Sequence, residues 1–568
     1  MGICTFYDFI FFMKLKTTKN WSFSTVANLV MEEGLKKTLK RNPKKMDESW
    51  DSLEKMFKNK IVEDKEKNIS DFQSEKKSTD IKKKPDLVKL DLVQITLAAS
   101  ILVFLVGTAS FFLGTLSIIA MIFGGGLVLY NLFTARGPAY LKLKYGKRGP
   151  SVFILFLLFT PFALGTMVAY DVYAMWESPM RTLLLWGLTI TFWSTMLFIP
   201  MAVFSKYKEN LVPEPKVWPT ISVLVPAYNE EKVISNTIEG LIETKYPKKE
   251  IIVIDDGSKD KTLQIALQYK NRVKVLHKEN GGKASALNYG LNYAKGEIIV
   301  VVDADTILGR HSLKEIVKGF SIDKNVAAVA GNIKVRNPVN WLTKCQSLEY
   351  ITGIQIVRRA FDIFGTITVI PGALGAMKKS KLEAVGTYHK DTLVEDFDTT
   401  IKILKSGLIT QGSTNATAYT EAPDTLKDFV KQRKRWYRGN IQVLARHRDA
   451  LTNPRYGFLQ RVAFPYLLLS MLVTPIIEFV SSASAIYGIL AGDGFFVAQF
   501  FFVFLVVHYM MVALALRIDG EDMKLLPYGG FLVLGFKQII NFLLLKAIFE
   551  HLRGRKAIWT TAKRTGFR

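Results

Sequence analysis

Seven runs of apolar residues, each long enough to cross a hydrocarbon layer, restrict this chain more than any other feature. Four of them (92–114, 116–133, 152–173 and 183–204) come before a long polar stretch, and three (462–490, 495–516 and 526–549) follow it. At 1.5 Å of helix rise per residue, such runs cover the roughly 30 Å of a bilayer core. A helix buried in a soluble core rarely runs so long, so a membrane protein with a soluble insert is expected. Composition agrees: 49% of residues are hydrophobic and 22% are charged, a pairing that works only if the two kinds are segregated. The last run is the exception, because Lys537, Gln538, Asn541 and Lys546 interrupt it. Charges at a bilayer centre cost several kcal/mol, so this segment is expected to lie in the interface or to re-enter.

Basic residues set the orientation. Lysines crowd the N-terminal tail, Arg136 to Arg148 follow the second run, and Lys206 and Lys208 follow the fourth. Under the positive-inside rule the N-terminus and the insert are cytoplasmic. The basic C-terminal tail, from Arg553 to Arg568, argues for the same side. The net charge of +26 leaves nucleic acid, anionic lipid and phosphate-bearing substrates open as partners. Most of that charge lies in the tail and in loops on one side of the membrane, so nucleic acid is not expected. Cys4 and Cys345 are the 2 cysteines, which excludes a disulfide framework and a zinc site made of thiolates alone. No signal peptide is expected: the apolar run 9–13 is too short, and Asp8 interrupts it.

Between Thr220 and Asp424 strand and helix patterns alternate. ISVLVPA (221–227), IIVIDDG (251–257), VKVLHK (273–278) and EIIVVVDAD (297–305) read as strands, with a helix running to Glu243 after the first. Such alternation implies βαβ units and a mainly parallel, Rossmann-like sheet. Open α/β sheets bind ligands at the carboxyl ends of their strands, and two of these strands end in acidic residues.

Asp303 and Asp305 flank Ala304 at a strand exit, where both could face one hard cation, or simply be solvated. Asp255 and Asp256 end another strand and suit either a base or ribose, or a turn cap. Lys283 follows two glycines and opens a helix, a setting for a phosphate or for a mobile loop. Glu395 and Asp396 lie where a loop enters a helix. Gln432, Arg435 and Trp436 recur at i, i+3 and i+4, so one helix face carries an amide, a guanidinium and an indole. The same segment also reads as a basic interfacial helix with an aromatic anchor.

Taken in order, PAYNE (226–230), DDGSKD (255–260), GGKA (281–284), DAD (303–305), ED (395–396) and QRKRW (432–436) resemble the membrane-bound processive β-glycosyltransferases of family 2. This inverting group includes cellulose, chitin, hyaluronan and poly-N-acetylglucosamine synthases. The stretch EYITGIQIVRRA…VIPGALGAMKKS (349–380) is most similar to the poly-N-acetylglucosamine branch. One departure is Val394, where the family commonly has Thr before the acidic pair.

The resemblance implies a GT-A catalytic domain inserted between two transmembrane blocks. Pro226, Ala227, Tyr228, Glu230, Asp255 and Asp256 would hold the nucleoside of a UDP-sugar, with UDP-N-acetylglucosamine favoured. Asp303 and Asp305 would hold Mg²⁺ or Mn²⁺ against its diphosphate, helped by Lys283. Asp396, beside Glu395, would be the general base. Gln432, Arg435 and Trp436 would serve the diphosphate and the acceptor sugar, and Gly372 would line the acceptor entrance. The implied partners are the UDP-sugar, a polysaccharide acceptor and the lipid bilayer, with an accessory secretion protein also open.

The expected plan places a lysine-rich disordered tail at 1–90, four spans at 91–205 and the catalytic domain at 206–425. Amphipathic interfacial helices follow at 426–457, then two or three spans at 458–549 and a basic tail at 550–568. Two other functions compete. One is transfer of a single sugar to a lipid phosphate by the same fold; the other is a nucleotide-binding transporter or receptor.

Overall fold

The computed structural model describes Arg181, Leu183, Leu184, Phe198 and residues 201–555. The N-terminal tail, the first three apolar runs, most of the fourth and the end of the basic C-terminal tail lie outside the described residues.

The insert begins as the alternation requires. The first half of the sheet comprises β1 (Ile221–Ala227), β2 (Lys249–Asp255), β3 (Lys274–His277) and β4 (Ile298–Val301). They pair in parallel in the spatial order β3-β2-β1-β4. Helices α1 (Ile234–Glu243), α2 (Thr262–Leu267) and α3 (Lys283–Tyr293) make the crossovers. β1 is apolar at nearly every position because both sheet faces are covered. Val223 and Val225 point into the core that holds Ile234 and Ile238 of α1, whereas Leu224 points into the core that holds Ala286 and Leu287 of α3.

The second half of the sheet departs from the parallel expectation. It adds β5 (Ile307–Leu308), β6 (Val326–Val335), β7 (Gly375–Lys378) and β8 (Ile409–Thr420), completing the order β3-β2-β1-β4-β7-β6-β8-β5. β7 runs antiparallel to both β4 and β6, and β5 runs antiparallel to β8, while β6 and β8 are parallel. The sheet is therefore mixed. Helix α4 (Ser312–Lys318) precedes β6. Helices α5 (Trp341–Glu349) and α6 (Ile356–Asp362) follow it as one rod widened by a π turn at Tyr350–Gln355. Helix α7 (Lys379–Ala384) follows β7, α8 (Glu395–Lys405) precedes β8, and α9 (Leu426–Arg446) leaves it.

Three apolar helical segments end the described chain. These are α10 (Leu459–Leu490), α11 (Gly494–Asp519) and a broken segment, Met523–Leu552, whose last part is α12 (Lys537–Leu552). All three are long and apolar enough to cross a membrane. Buried polar contacts join them to the catalytic sheet. Asp519, at the end of α11, takes a hydrogen bond from Asn332 of β6 (3.0 Å) and pairs with Arg359 of α6. Asn332 also donates to the Thr414 carbonyl (3.1 Å), in the stretch of β8 whose Thr414 and Asn415 amides bond Glu209. Glu209 belongs to the helix at 201–210, just after the fourth apolar run. On the other side of that run, Arg181 pairs at 2.7 Å with Asp493 in the α10–α11 turn.

The third segment behaves differently. Near its start Tyr528 accepts from Lys344 of α5 at 2.9 Å, and near its end Glu550 pairs with Lys434 (3.1 Å) and Arg438 (3.5 Å) of α9. Between them the backbone breaks at Leu534 and Gly535, where Gly535 has φ of 104°. Phe536 then packs on Phe429 of α9 with ring centroids 5.3 Å apart. Both ends of this segment thus touch the catalytic domain. The polar residues that interrupt it find partners, since Lys537 and Asn541 both reach Glu478 of α10.

Candidate active site

The exits of β1, β2 and β4 lie side by side, and the residues expected to bind the donor gather there. After β1, residues 228–231 are laced to the loop before α2. The Asn229 amide donates to Ser258 (3.0 Å) and the Glu230 amide to Thr262 (2.7 Å). Pro226, Tyr228 and Glu230 line this exit half-buried, and Ala227 is buried.

The two carboxylates after β2 have different surroundings. Asp256 organises the next loop: it accepts from the Gly282 amide (2.7 Å), the Gly281 amide (3.1 Å) and the Lys278 ammonium (2.7 Å). This fixes the turn that starts α3 and aims Lys283. Asp255 takes His277 Nδ1 on one oxygen (2.7 Å), while its other oxygen is buried with no hydrogen-bond partner in the structure. A buried polar atom of this kind asks for an explanation, and of the pair Asp255 is the better candidate to receive a nucleoside.

Lys283 joins the exit of β4 to the start of α8. Its Nζ lies 2.6 Å from Asp303 Oδ1, just past β4, and 3.2 Å from Glu395 Oε1, at the start of α8. Gly372 is the third wall: a Cβ there would fall 2.4 Å from Lys283 Nζ and 3.5 Å from Asp303 Oδ1. The Gly372 amide in turn donates to Asp396 Oδ2 at 3.3 Å, and the Phe397 amide donates to Oδ1 at 2.8 Å. A helix N-terminus favours ionised carboxylates, yet burial and the neighbouring Glu395 charge push Asp396 up to about 6, against the pull of Lys283. A carboxyl poised near neutrality is what general-base work requires.

Asp303 and Asp305 do not face one point equally. Asp303 is 34% exposed, whereas Asp305 is 3% exposed and accepts from the Thr306 (3.1 Å) and Thr420 (3.4 Å) hydroxyls. Among the described residues no group of three or more His, Cys, Asp or Glu side chains could hold a metal ion. One open carboxylate backed by a second still fits Mg²⁺ or Mn²⁺, because such ions commonly take one or two carboxylates and fill the remaining positions with phosphate oxygens and water.

The face expected to serve the acceptor lies on α9. Gln432, Arg435, Trp436 and Gly439 share that face, and Gly439 sets how closely it approaches the start of α8. A Cβ on Gly439 would lie 2.8 Å from both methyls of Val394, the residue before Glu395. Trp436 packs on the large apolar cluster of the sheet, which also takes in Tyr350. Gln432 is buried, and its Oε1 has no hydrogen-bond partner in the structure. Arg433 turns under the helix, where its guanidinium lies 4.4 Å from the Trp436 ring and pairs with Glu349 of α5. At the far end of α9, His447 (3.0 Å) and Arg446 (3.2 Å) bond Asp398, which is fully buried two residues beyond Asp396. α8 is therefore pinned to α9 both ahead of and behind the base.

Sequence reasoning missed these supports. Arg358 of α6 bonds the Gly331 carbonyl (3.3 Å) and feels the Asp396 charge, although burial pushes its guanidinium down to about 10. Nothing in the local pattern marks Arg358, Asp398 or His447, because their partners lie on elements distant in the sequence.

Residues 222–386 match the family described as Glycosyl transferase family 2. The poly-beta-1,6-N-acetyl-D-glucosamine synthase of Staphylococcus aureus (strain COL) is 34% identical over 229 residues, which is 40% of this chain and 56% of that protein. The synthase of the same name from Staphylococcus epidermidis matches to the same extent, at 34% over 229 residues. The match thus spans only about half the length of these curated relatives. A mannosyltransferase from Pyrobaculum calidifontis, solved with GDP-Man and Mn²⁺, superposes at a TM-score of 0.45 with 21% identity, over 66% of this chain and 100% of that one. That likeness is loose. Within the insert, residues 222–386 thus carry the match to a family 2 glycosyltransferase domain.

Proposed function

We propose that this chain is a membrane-embedded, inverting and processive glycosyltransferase that uses UDP-N-acetylglucosamine to extend a β-linked polysaccharide and exports it beside its own helices. The choice of sugar follows the synthases from the two staphylococci. The nucleoside would rest on Pro226, Ala227, Tyr228, Glu230 and Asp255, and the diphosphate on Lys283 and Arg435. Asp303 and Asp305 would hold Mg²⁺ or Mn²⁺, which supplies positive charge to the departing phosphate.

Transfer is one displacement. Asp396 takes the proton of the acceptor hydroxyl as that oxygen bonds to the anomeric carbon from the face opposite UDP. The bond from this carbon to the β-phosphate oxygen breaks, and its electron pair leaves with UDP. Lys283 and Arg435 stabilise that charge. Trp436 supports the acceptor ring, and Gln432 offers its carbonyl oxygen. Gly372 leaves Lys283 room beside Asp396.

The same reading covers the membrane part. The insert lies on the cytoplasmic side, and α10 and α11 cross the bilayer. Met523–Leu552 re-enters, because Tyr528 and Glu550, near its two ends, both bind the catalytic domain. The basic tail then remains cytoplasmic.

The observation that carries the proposal is the chain of contacts from Asp303 through Lys283 to Glu395, with Asp396 beside it and α9 packed on Val394. Purified membranes given each UDP-sugar with Mg²⁺ or Mn²⁺ test it by UDP release and product size. Long products from UDP-N-acetylglucosamine are expected; a single lipid-linked sugar would favour the non-processive alternative.

A further inference from the structure

Asp303 is partly exposed, and its Oδ1 is already held by an ammonium, with Lys283 Nζ at 2.6 Å. The same ammonium lies 3.2 Å from Glu395 Oε1 and packs against Gly372. A dication on Asp303 would therefore sit beside a positive charge. Asp305 offers little relief, because it is 3% exposed and bonded to Thr306 and Thr420. A diphosphate changes the balance: it adds negative charge beside both cations and supplies the oxygens that an octahedral ion still needs.

We propose that Lys283 is a built-in competitor for the metal at Asp303, so that the divalent ion enters only as its nucleotide diphosphate complex and not as the free ion. This deepens the reading of the insert as a UDP-sugar site and rests on it. Ion and nucleotide then bind synergistically, and linkage makes the gain reciprocal: whatever UDP adds to Mn²⁺ affinity, Mn²⁺ adds to UDP affinity. The arrangement also separates the roles of the two cations. Lys283 neutralises Asp303 and Glu395 while no donor is bound, then turns to the diphosphate once the metal takes over Asp303.

The test needs no turnover. Mn²⁺ is titrated into the full-length, detergent-purified chain, and free Mn²⁺ is read by its paramagnetic resonance signal, with and without UDP. For the natural protein, UDP is expected to tighten Mn²⁺ binding about 100-fold. Lys283→Met should bind Mn²⁺ without UDP about tenfold more tightly than the natural protein, and most of the gain from UDP should disappear. Lys283→Gln is the substitute if the Met variant does not fold. Lys283→Arg, which keeps the charge, should keep free-ion binding weak. Equal Mn²⁺ affinity with and without UDP in the natural protein would overturn the proposal, as would a neutral variant that binds the free ion no better. If UDP fails to bind even with Mn²⁺ present, the donor-site reading itself falls, a result separate from either of these.

Discussion

The donor half and the acceptor half of the site are built in different ways. The donor half hangs on the ends of adjacent parallel strands, where the sheet itself places Ala227, Asp255 and Asp303 in neighbouring rows. Its loops are stiffened locally, as Asp256 stiffens the turn before Lys283. The proposed acceptor half is carried by helices that pack on the sheet, not by strand ends. Its helices α8 and α9 meet through Gly439 on Val394 and through Asp398 on His447 and Arg446, and α9 is held in turn by Glu349 and Glu550. Strand ends give a rigid frame for a small charged ligand, whereas helix contacts give a surface continuous with the membrane segments. The difference predicts that damage to the two halves will be read in different kinetic constants.

The largest effect is expected at the point where the halves meet. Asp396→Asn should lower transfer about a thousandfold, the scale of a lost general base, while UDP binding is retained. Equal loss of binding would mean that the carboxylate belongs to the donor half. Next comes Gly439→Val, which forces α9 away from Val394. A displacement of about 1 Å can cost about a hundredfold in rate, and the loss should appear in polymer formation with donor affinity intact. Asp398→Asn should cost less, about tenfold, because its remaining carbonyl oxygen still accepts from His447 or Arg446. An effect on the KM for the donor in either variant would break the division.

The smallest effect is in pH dependence. Asp396 has a folded pKa of about 6 against an ordinary 3.8, through burial and Glu395, opposed by Lys283 and with Asp303 also nearby. Transfer should therefore rise with pH through about 6 as the carboxylate forms. The linkage to stability has the opposite sign. A raised folded pKa favours the protonated fold, so this stabilisation is complete below about 3.8 and is lost as pH rises through about 6. Rate profiles and melting curves across that window check both signs.

The same contrast explains what was legible in the sequence. The four parallel strands are rich in Val, Ile and Leu and two of them run into Asp, so pattern alone located them and the carboxylates they carry. β6 (VAAVAGNIKV) and β8 (ITQGSTNATAYT) are rich in small and hydroxyl residues and carry no such signature. Their mixed pairing follows from β7, a strand of four residues too short to announce its direction. The QRKRW face was legible because its residues repeat at helical spacing. The partners that aim that face were not, since Glu349 and Asp398 act across helices far apart in the chain. The polar residues of the last apolar segment were legible, but their partners were not: Lys537 and Asn541 reach Glu478 of α10, and the backbone breaks at Gly535.

The central claim is that a self-contained donor site and a helix-borne acceptor platform share one base. Trp436→Ala tests it most directly, with two rates measured on the same sample: slow hydrolysis of UDP-N-acetylglucosamine by water, and incorporation into polymer. Retained hydrolysis with polymer formation reduced at least about tenfold is the expected result, in line with the loss of an aromatic stacking surface. A parallel fall of both rates would contradict the division, and unchanged polymer formation would remove Trp436 from the acceptor site.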